Sequence, residues 1–408
     1  MDRPVASLPH FLFIAYGGGH VRMLLPVANR ARSLGVADCT FIGLTSARPE
    51  VEAQGFRCLG YKDFVRSTDS VAIGRGEQLA AQLSHASIDK HESAAYLGLN
   101  YAELEATHGA VEASRMYSRY GRQVFAPRSL MRRFISEVSP DLVIATSAPR
   151  SERAAIEAAR DLGLPSACLV DLFALDEIAW VGQPGFADRI LVLNEPVRQA
   201  LLAAGRTPAE VVVTGNPAFD QCVSPQSKAA GQALRQERGW PQGRTVLFAS
   251  APEPGEHPFR PGVVGNVDLP RNAFEALRAY SDAVPGMRLL LRLHPSEALN
   301  PPSWADCVEL AGQDLPIEVL VNAVDLVVVL VSTVAVQATL AGCRVLQVSG
   351  AMFESAAPFI KYGFAGACVP VSGLQVAVRQ LLDSPAPLAG DTTEATRNVL
   401  HELAALVA

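Results

Sequence analysis

The chain has 408 residues, of which 49% are hydrophobic and 19% charged, and its formal net charge at pH 7 is −6. This length predicts two or three domains with sizeable cores, and the composition argues against an intrinsically disordered chain. It also argues against nucleic acid as a partner, because neutralising phosphates requires a clustered basic face.

The cysteines and the N-terminal residues predict the cellular compartment of the protein. Seven cysteines are dispersed along the chain without a CxxC pair, which predicts reduced thiols in a cytoplasmic protein. Arg3 is the only basic residue before Pro4, and no run of about 18 apolar residues occurs. We therefore expect neither a signal peptide nor a transmembrane helix.

Short apolar runs alternate with segments of helical spacing in the first half of the chain. Runs of this kind are typical of parallel strands that helices cover on both faces. The predicted strands are 11–15, 39–44, 141–145, 166–170, 189–193 and 210–213, and the clearest helices are 23–34 and 151–162.

Residues 63–138 interrupt this alternation with a polar, helical segment that is rich in arginine. The segment is expected to be a solvated helical face. The alternative is an inserted element that binds an acceptor or a membrane surface, because basic amphipathic helices attract anionic surfaces. Its arginines are Arg115, Arg119, Arg122, Arg128, Arg132 and Arg133.

The same alternation resumes after a polar stretch, and we place a domain junction at 220–242. The two sets of strands predict an α/β protein with two Rossmann-like domains, 1–220 and 221–408. The strands of the second domain are predicted at 244–249, 287–293, 326–330, 344–348 and 367–369.

A glycine-rich turn, Tyr16-Gly17-Gly18-Gly19-His20, lies between the first strand and the first helix. Glycines let the backbone approach a ligand closely, and the N–H groups that begin a helix favour negative charge. The turn resembles the opening of GT-B enzymes, both the natural-product UDP-glycosyltransferases and the MurG family. The resemblance implies two domains that face a central cleft, with His20 as the general base on an acceptor hydroxyl.

Two motifs in the second half resemble donor-phosphate sites of the same superfamily. The run 248–257 includes Ser250 and Glu256 after a strand, and Kdo transferases have a comparable turn with a Gly-Glu pair. His294-Pro295 ends the next strand. A His-Pro pair at this place recurs in bacterial sialyltransferases, Kdo transferases and glycerophosphotransferases, which implies charge stabilisation on the departing nucleotide.

Ser332 and Thr333 open a helix after another strand, where hydroxyl side chains cap the helix and leave N–H groups for phosphate. This stretch resembles the donor-site helix of GT-B enzymes, in which a glutamate often binds ribose. Gln337 occupies that position here and can bind a hydroxyl without charge. The run 213–220, Val-Thr-Gly-Asn-Pro-Ala-Phe-Asp, resembles the interdomain stretch of UDP-N-acetylglucosamine 2-epimerases and Kdo transferases.

These resemblances imply an inverting, metal-independent glycosyltransferase without a cofactor, and no DxD sequence occurs. The substrates would be a UDP- or CMP-linked sugar and a bacterial-type glycan, lipid or protein acceptor. We expect the enzyme in the cytoplasm, with peripheral contact to the inner membrane face as an alternative. His20 and Asp171 are the catalytic candidates, with Asp176 and Glu177 as further carboxylates. The donor-binding candidates are Gly18, Gly19, Ser250, Glu256, His294, Pro295, Ser332, Thr333 and Gln337.

Three other functions stay open. A UDP-GlcNAc 2-epimerase would carry a Gly-Asp pair after the strand at 141–145, where this chain has Thr146-Ser147, and a Glu-Ala-Gly pattern where it has Asp171-Leu172-Phe173. A CDP-alcohol glycerophosphotransferase shares the His-Pro and Ser-Thr features. A non-catalytic nucleotide-sugar binder or partner subunit is the third alternative.

Overall fold

The computed structural model describes residues 8–81, 89–240, 244–258, 260, 262–307, 309–387 and 394–408. Residues 82–88 of the expected insert and 241–242 of the expected junction lie outside this part, as does the side chain of Cys307. The chain divides into two compact units, Met1–Ala218 with Glu394–Ala408, and Phe219–Thr393. None of the helices in the described ranges is long and apolar enough to cross a membrane.

The first unit is built on a seven-stranded parallel sheet of order β3-β2-β1-β4-β5-β6-β7. Its central strands are apolar on both faces and fully buried, as expected of a sheet that helices cover on both sides. The strands are β1 (His10–Ala15), β2 (Asp38–Gly43), β3 (Arg57–Leu59), β4 (Leu142–Thr146), β5 (Ser166–Leu169), β6 (Arg189–Val192) and β7 (Val211–Val213).

The helices of the first unit include one that comes from the end of the chain. They are α1 (Gly19–Ser33), α2 (Ala47–Ala53), α3 (Ser70–Ala80), α4 (Lys90–His108), α5 (Ala110–Tyr120), α6 (Arg128–Val138), α7 (Ser151–Asp161), α8 (Ile178–Val181), α9 (Glu195–Ala203) and α17 (Ala395–Ala405). We expected α17 in the second domain. It packs on α1 instead, because its apolar residues Val399, Leu400 and Leu403 are part of the core of the first unit.

The segment expected to be a helical insert contains α3 to α6. It is more than a solvated face, because it has a small core of its own. Helices α3 and α4 approach so closely that a Cβ on Gly76 would lie 1.9 Å from the carbonyl oxygen of Ala94. The core residues are Leu97, Tyr101, Leu104, Ala113 and Phe125.

The second unit has a six-stranded parallel sheet of order β10-β9-β8-β11-β12-β13, with helices α10 to α16. The strands are β8 (Thr245–Ala249), β9 (Arg288–Arg292), β10 (Glu309–Leu310), β11 (Leu326–Val329), β12 (Arg344–Val348) and β13 (Ala367–Val369). The helices are α10 (Asp220–Val223), α11 (Pro225–Arg238), α12 (Leu269–Ala283), α13 (Pro295–Ala298), α14 (Ile317–Leu320), α15 (Val334–Leu340) and α16 (Leu374–Asp383). Two Rossmann-like sheets confirm the predicted fold class.

Short 3-10 helices complete the described elements of both units. They are Tyr61–Phe64, Ser67–Asp69, Gly121–Val124, Pro217–Phe219, Ser303–Cys307, Glu354–Ala356 and Val371–Gly373. The segment Gly121–Val124 connects α5 to the residues before α6. Its Arg122 lines a cavity together with Tyr16 and Arg150, which lie close after strands of the first sheet.

Candidate functional site

The carboxyl edge of the first sheet has its switch point between β1 and β4, where the strand order reverses. Open parallel sheets bind ligands at such points. The turn Tyr16–His20 follows β1 there. Gly18 has φ 71° and ψ −131°, a conformation that costs glycine little. A Cβ on Gly17 would lie 1.9 Å from Oγ of Ser46, so both positions require glycine, and the turn places His20 in the first turn of α1.

His20 begins a hydrogen-bonded chain that ends on a buried carboxylate. Its Nδ1 lies 2.8 Å from Oγ1 of Thr146, at the end of β4. The Thr146 hydroxyl donates to Oε2 of Glu152, whose side chain is fully buried. Glu152 also accepts from the backbone N–H of Tyr16 at 2.6 Å and of Ala148 at 3.3 Å. Burial raises the pKa of Glu152, and the His20 charge and these three donors act in the opposite direction.

With Glu152 ionised, this network determines which ring nitrogen of His20 carries the proton. An ionised carboxylate accepts hydrogen bonds and cannot donate one, so the single hydroxyl proton of Thr146 points to Glu152. The Thr146 oxygen must then accept a bond from Nδ1–H of His20. Nε2 is left with a free lone pair, which is the tautomer that a general base requires.

Asp171 follows β5 and lies close to the turn that carries His20. A Cβ on Gly19 would lie 4.0 Å from Oδ1 of Asp171. The backbone N–H of Asp171 donates to Ser147 Oγ at 3.2 Å, and its carbonyl accepts from Nδ2 of Asn216 at 2.8 Å. Burial raises the pKa of the Asp171 carboxyl, and the charge of His20 lowers it. Asn216, which we assigned only to an interdomain motif, therefore fixes the loop that carries Asp171.

Glu177 is a second carboxylate at this edge, at the start of α8. Burial raises its pKa, and the charges of Asp176 and Asp171 raise it further, while His20 lowers it. Glu177 thus lies within electrostatic reach of both Asp171 and His20. The side chain of Asp176 is exposed.

A cavity of about 830 Å³ lies next to the turn that follows β1, and His20, Asp171 and Glu177 are not among its lining residues. Tyr16 belongs to its wall, and the ring of Tyr16 lies 6.4 Å from that of His20, centroid to centroid. Thr45 and Arg150, also on the wall, have positive φ values of 54° and 67°. Such backbone strain in residues other than glycine concentrates at functional sites. The sequence does not predict this cavity, because its wall combines strand ends with the insert.

The second sheet has its own switch point between β8 and β11. Ser250 follows β8, and its hydroxyl donates to Oε1 of Glu297 at 3.2 Å. Oε2 of Glu297 accepts from the backbone N–H of His294 at 3.0 Å, so Glu297 joins Ser250 to the pair His294–Pro295. Nδ1 of His294 accepts from the backbone N–H of Ser296 at 3.2 Å, which assigns the ring proton to the exposed Nε2.

Ser332 and Thr333 lie at the same edge, after β11, which pairs directly with β8. The hydroxyl of Ser332 accepts from the backbone N–H of Val334 at 3.3 Å, but the N-cap residue of α15 is Thr333, which makes no side-chain capping bond. Gln337, the candidate for ribose binding, lies on α15 near Cys222 of α10, where its side chain lowers the pKa of the Cys222 thiol against the larger effect of burial.

The two glutamates of the loop after β8 have different environments. Glu256, the predicted donor ligand, is exposed, and its backbone forms an isolated bridge to Val264. Glu253 is buried, and its Oε1 accepts from the backbone N–H of Met352, which follows β12. Burial raises the pKa of Glu253. The structured carboxylate of this loop is thus Glu253, which the sequence analysis did not assign.

No protein-family model matches the sequence, and no curated protein matches it. Solved structures resemble the chain over nearly its whole length. The UDP-GlcNAc 2-epimerase of Methanocaldococcus jannaschii is 12% identical with a TM-score of 0.57, over 96% of this chain and 98% of that one. The UDP-GlcNAc 2-epimerase of Neisseria meningitidis, solved with UDP-GlcNAc, is 13% identical with a TM-score of 0.56, over 97% and 99%.

MurG of Acinetobacter baumannii is 12% identical with a TM-score of 0.52, over 98% of this chain and 99% of that one. Identities this low carry the fold and leave the reaction open. The neighbours share two parallel, Rossmann-like halves with this chain. The chain therefore has the GT-B fold that the glycine-rich turn and the His-Pro motif led us to expect.

Proposed function

We propose that the protein is an inverting glycosyltransferase that moves a sugar from a nucleotide-sugar donor to an acceptor hydroxyl without a metal. The observation that supports it most is the His20–Thr146–Glu152 network, which Tyr16 links to the 830 Å³ cavity. The network leaves a basic nitrogen free, and the cavity has the size of a small-molecule site. A transferase needs both a base and room for a second substrate.

In this proposal Nε2 of His20 takes the proton of the acceptor hydroxyl while that oxygen attacks the anomeric carbon. The bond from this carbon to the nucleotide phosphate breaks in the same step, so the configuration inverts. The leaving phosphate gains charge. Groups at the edge of the second sheet, Nε2–H of His294 and the hydroxyls of Ser332 and Thr333, would stabilise that charge by hydrogen bonds.

A UDP-GlcNAc 2-epimerase is the second candidate. Several structural neighbours carry that title, and Asp171 and Glu177 place two carboxylates with raised pKa beside His20. Buried carboxylates of this kind suit proton transfer near neutral pH. Against it, Thr146-Ser147 lie at the end of β4, where the epimerases have a Gly-Asp pair.

The two functions differ in what happens to UDP-GlcNAc in D2O without an acceptor. Epimerisation at C2 exchanges the C2 proton for deuterium, whereas a transferase leaves this proton in place. We expect NMR to show an unchanged C2 proton, and UDP release only after a hydroxylated acceptor is added, with or without EDTA. A parallel thermal-shift comparison of UDP with CMP identifies the nucleotide, because a ligand of the native state raises its apparent stability.

Deuterium at C2 together with a new epimer would overturn the proposal in favour of the epimerase. The base is tested by a pair of variants. His20→Ala should slow transfer about 10²- to 10⁴-fold with donor affinity unchanged, and Asp171→Ala should slow it less. The reverse order would assign the base to the carboxylate.

A further inference from the structure

The wall of the 830 Å³ cavity has an excess of unpaired positive charge, although the chain as a whole has a net charge of −6. Lys90, Arg122 and Arg150 line it. None of the three forms an ion pair with a carboxylate in the described part of the chain, where eighteen other such pairs occur. The three cations of this wall are therefore available to an anionic ligand.

The two carboxylates on the wall do not neutralise these cations. Glu92 is buried, and its two carboxylate oxygens accept from the backbone N–H groups of Tyr61 at 2.8 Å and Lys62 at 3.1 Å. Both oxygens therefore already have a backbone donor. Glu77 is exposed on α3. The cavity therefore offers cationic donors to a ligand.

Arg150 is the best oriented of these donors. Its Nε donates to the hydroxyl of Tyr16 at 3.3 Å, and its guanidinium lies 5.1 Å from the centre of the Tyr16 ring. These contacts hold the side chain and leave the terminal NH2 groups without a hydrogen-bond partner among the described residues. Its backbone has φ 67° and ψ −116°, which costs free energy in a residue other than glycine. A half-buried guanidinium without an anion is costly as well, and an anionic ligand would relieve that cost.

Besides the polar residues Thr45, His91 and Ser93, the rest of the wall is apolar or aromatic. Leu44, Leu97 and Ala94 line it together with the rings of Tyr16 and Tyr96. Tyr16 also connects the cavity to the catalytic network, since its backbone N–H donates to Glu152 at 2.6 Å and its ring lies against that of His20. A ligand beside the Tyr16 ring would thus approach His20, which is itself not part of the wall.

We propose that this cavity binds an acidic acceptor, a small molecule with an aromatic or aliphatic body, a hydroxyl group directed to His20, and a carboxylate or phosphate bound by Arg150 and Arg122. This inference rests on the proposed transfer function for the identity of the ligand as an acceptor. The anion site itself rests on the geometry of the cavity alone.

Calorimetry on the full-length protein without donor tests the anion site apart from catalysis. The probes are 4-hydroxybenzoate, 4-hydroxyphenyl phosphate and the uncharged methyl 4-hydroxybenzoate. Comparing them shows whether binding requires the carboxylate, the phosphate or only the aromatic body. We expect at least one anionic probe to bind about tenfold or more tightly than the ester. Arg150→Gln and Arg122→Gln should each weaken that binding about 10- to 100-fold, the scale of one hydrogen bond to a charged group.

Arg153→Gln is the matched control, because Arg153 lies on α7 close to Arg150 in sequence but pairs with Glu157 outside the cavity. It should bind the probe as the wild type does. Equal affinities for acid and ester, no binding of any probe, or equal effects of Arg150→Gln and Arg153→Gln would overturn the proposal. If the acid binds as expected but UDP-GlcNAc undergoes C2 exchange, the anion site stands and the transferase function fails.

Discussion

At the residue scale, we expect the tautomer of His20 to depend on Glu152, which acts on it through the hydroxyl of Thr146. Replacing Glu152 with Gln keeps the shape and substitutes an NH2 for one oxygen. In this variant the amide oxygen accepts from the Tyr16 N–H. The amide NH2 then faces Thr146 and donates to its hydroxyl oxygen. The Thr146 hydroxyl then donates to Nδ1, and the proton of His20 moves to Nε2. Glu152→Gln should therefore lower the transfer rate about 10²- to 10⁴-fold, the usual contribution of a positioned base.

Two measurements separate this effect from simple destabilisation. The ¹⁵N NMR signals of His20 should change from protonated Nδ1 to protonated Nε2, and nucleotide affinity should stay at the wild-type value. Glu157→Gln, on the same helix but in an ion pair with Arg153, is the control and should change neither. Normal turnover in Glu152→Gln with an unchanged tautomer would show that the network has no catalytic role.

Only part of this site is predictable from the sequence. His20 and Asp171 follow apolar runs, so their place at strand ends is evident from the pattern alone. Glu152 lies in the first turn of a helix, where an acid ordinarily complements the helix dipole at the surface. Its burial depends on the Tyr16 and Ala148 N–H groups, which come from another strand end and from its own loop. Long-range hydrogen bonds of this kind have no local sequence pattern.

At the element scale, the insert keeps its shape through close contact of α3 and α4. A Cβ on Gly76 would meet the Ala94 carbonyl oxygen at 1.9 Å, and backbone atoms cannot move aside as a flexible side chain can. Gly76→Ala should lower the free energy of unfolding by about 1–3 kcal/mol, the usual cost of overpacking. Because both helices line the cavity, binding of the acidic probe should weaken too.

Gly74 provides a matched control on the same helix. A Cβ at Gly74 meets nothing within 4 Å, so Gly74→Ala should leave probe binding intact and stabilise the helix by up to about 1 kcal/mol. Thermal denaturation and calorimetry check both variants. Equal behaviour of the two alanine variants would contradict the close contact.

Elements differ in how well the sequence predicts them. The eleven strands expected from apolar runs all occur in the structure, within a residue or two at their ends. The sequence analysis missed β3 and β10, because Arg57–Leu59 and Glu309–Leu310 are too short for any periodicity. The contact between α3 and α4 was missed for a different reason, since isolated glycines in a helix usually indicate weak helix propensity.

At the scale of the whole molecule, the first unit is discontinuous in sequence and needs α17 to complete its core. Leu403 is fully buried there. Leu403→Ala should lower the stability of this unit by about 2–5 kcal/mol, the usual cost of deleting a buried leucine side chain. The loss should appear in hydrogen exchange as faster exchange in α1, with α12 of the second unit unchanged.

The exposed His401 on the same helix is the control, and His401→Ala should leave exchange in α1 as it is. Equal loss of protection in α1 and α12 would show that the two units unfold as one. The sequence gives no sign of this return of the chain, because the alternation of strands and helices continues without a second junction.

The return of α17 to the first unit also sets an order for synthesis. Translation adds about 5–20 residues per second, and the whole of Phe219–Thr393 must be made between the two parts of the first unit. For roughly ten seconds or longer, the nascent chain therefore carries the apolar surface that Val399, Leu400 and Leu403 will later cover. The second unit is continuous in sequence, so its synthesis ends before α17 of the first unit is made. We expect newly made chains to depend on chaperones that shield apolar surface during this interval.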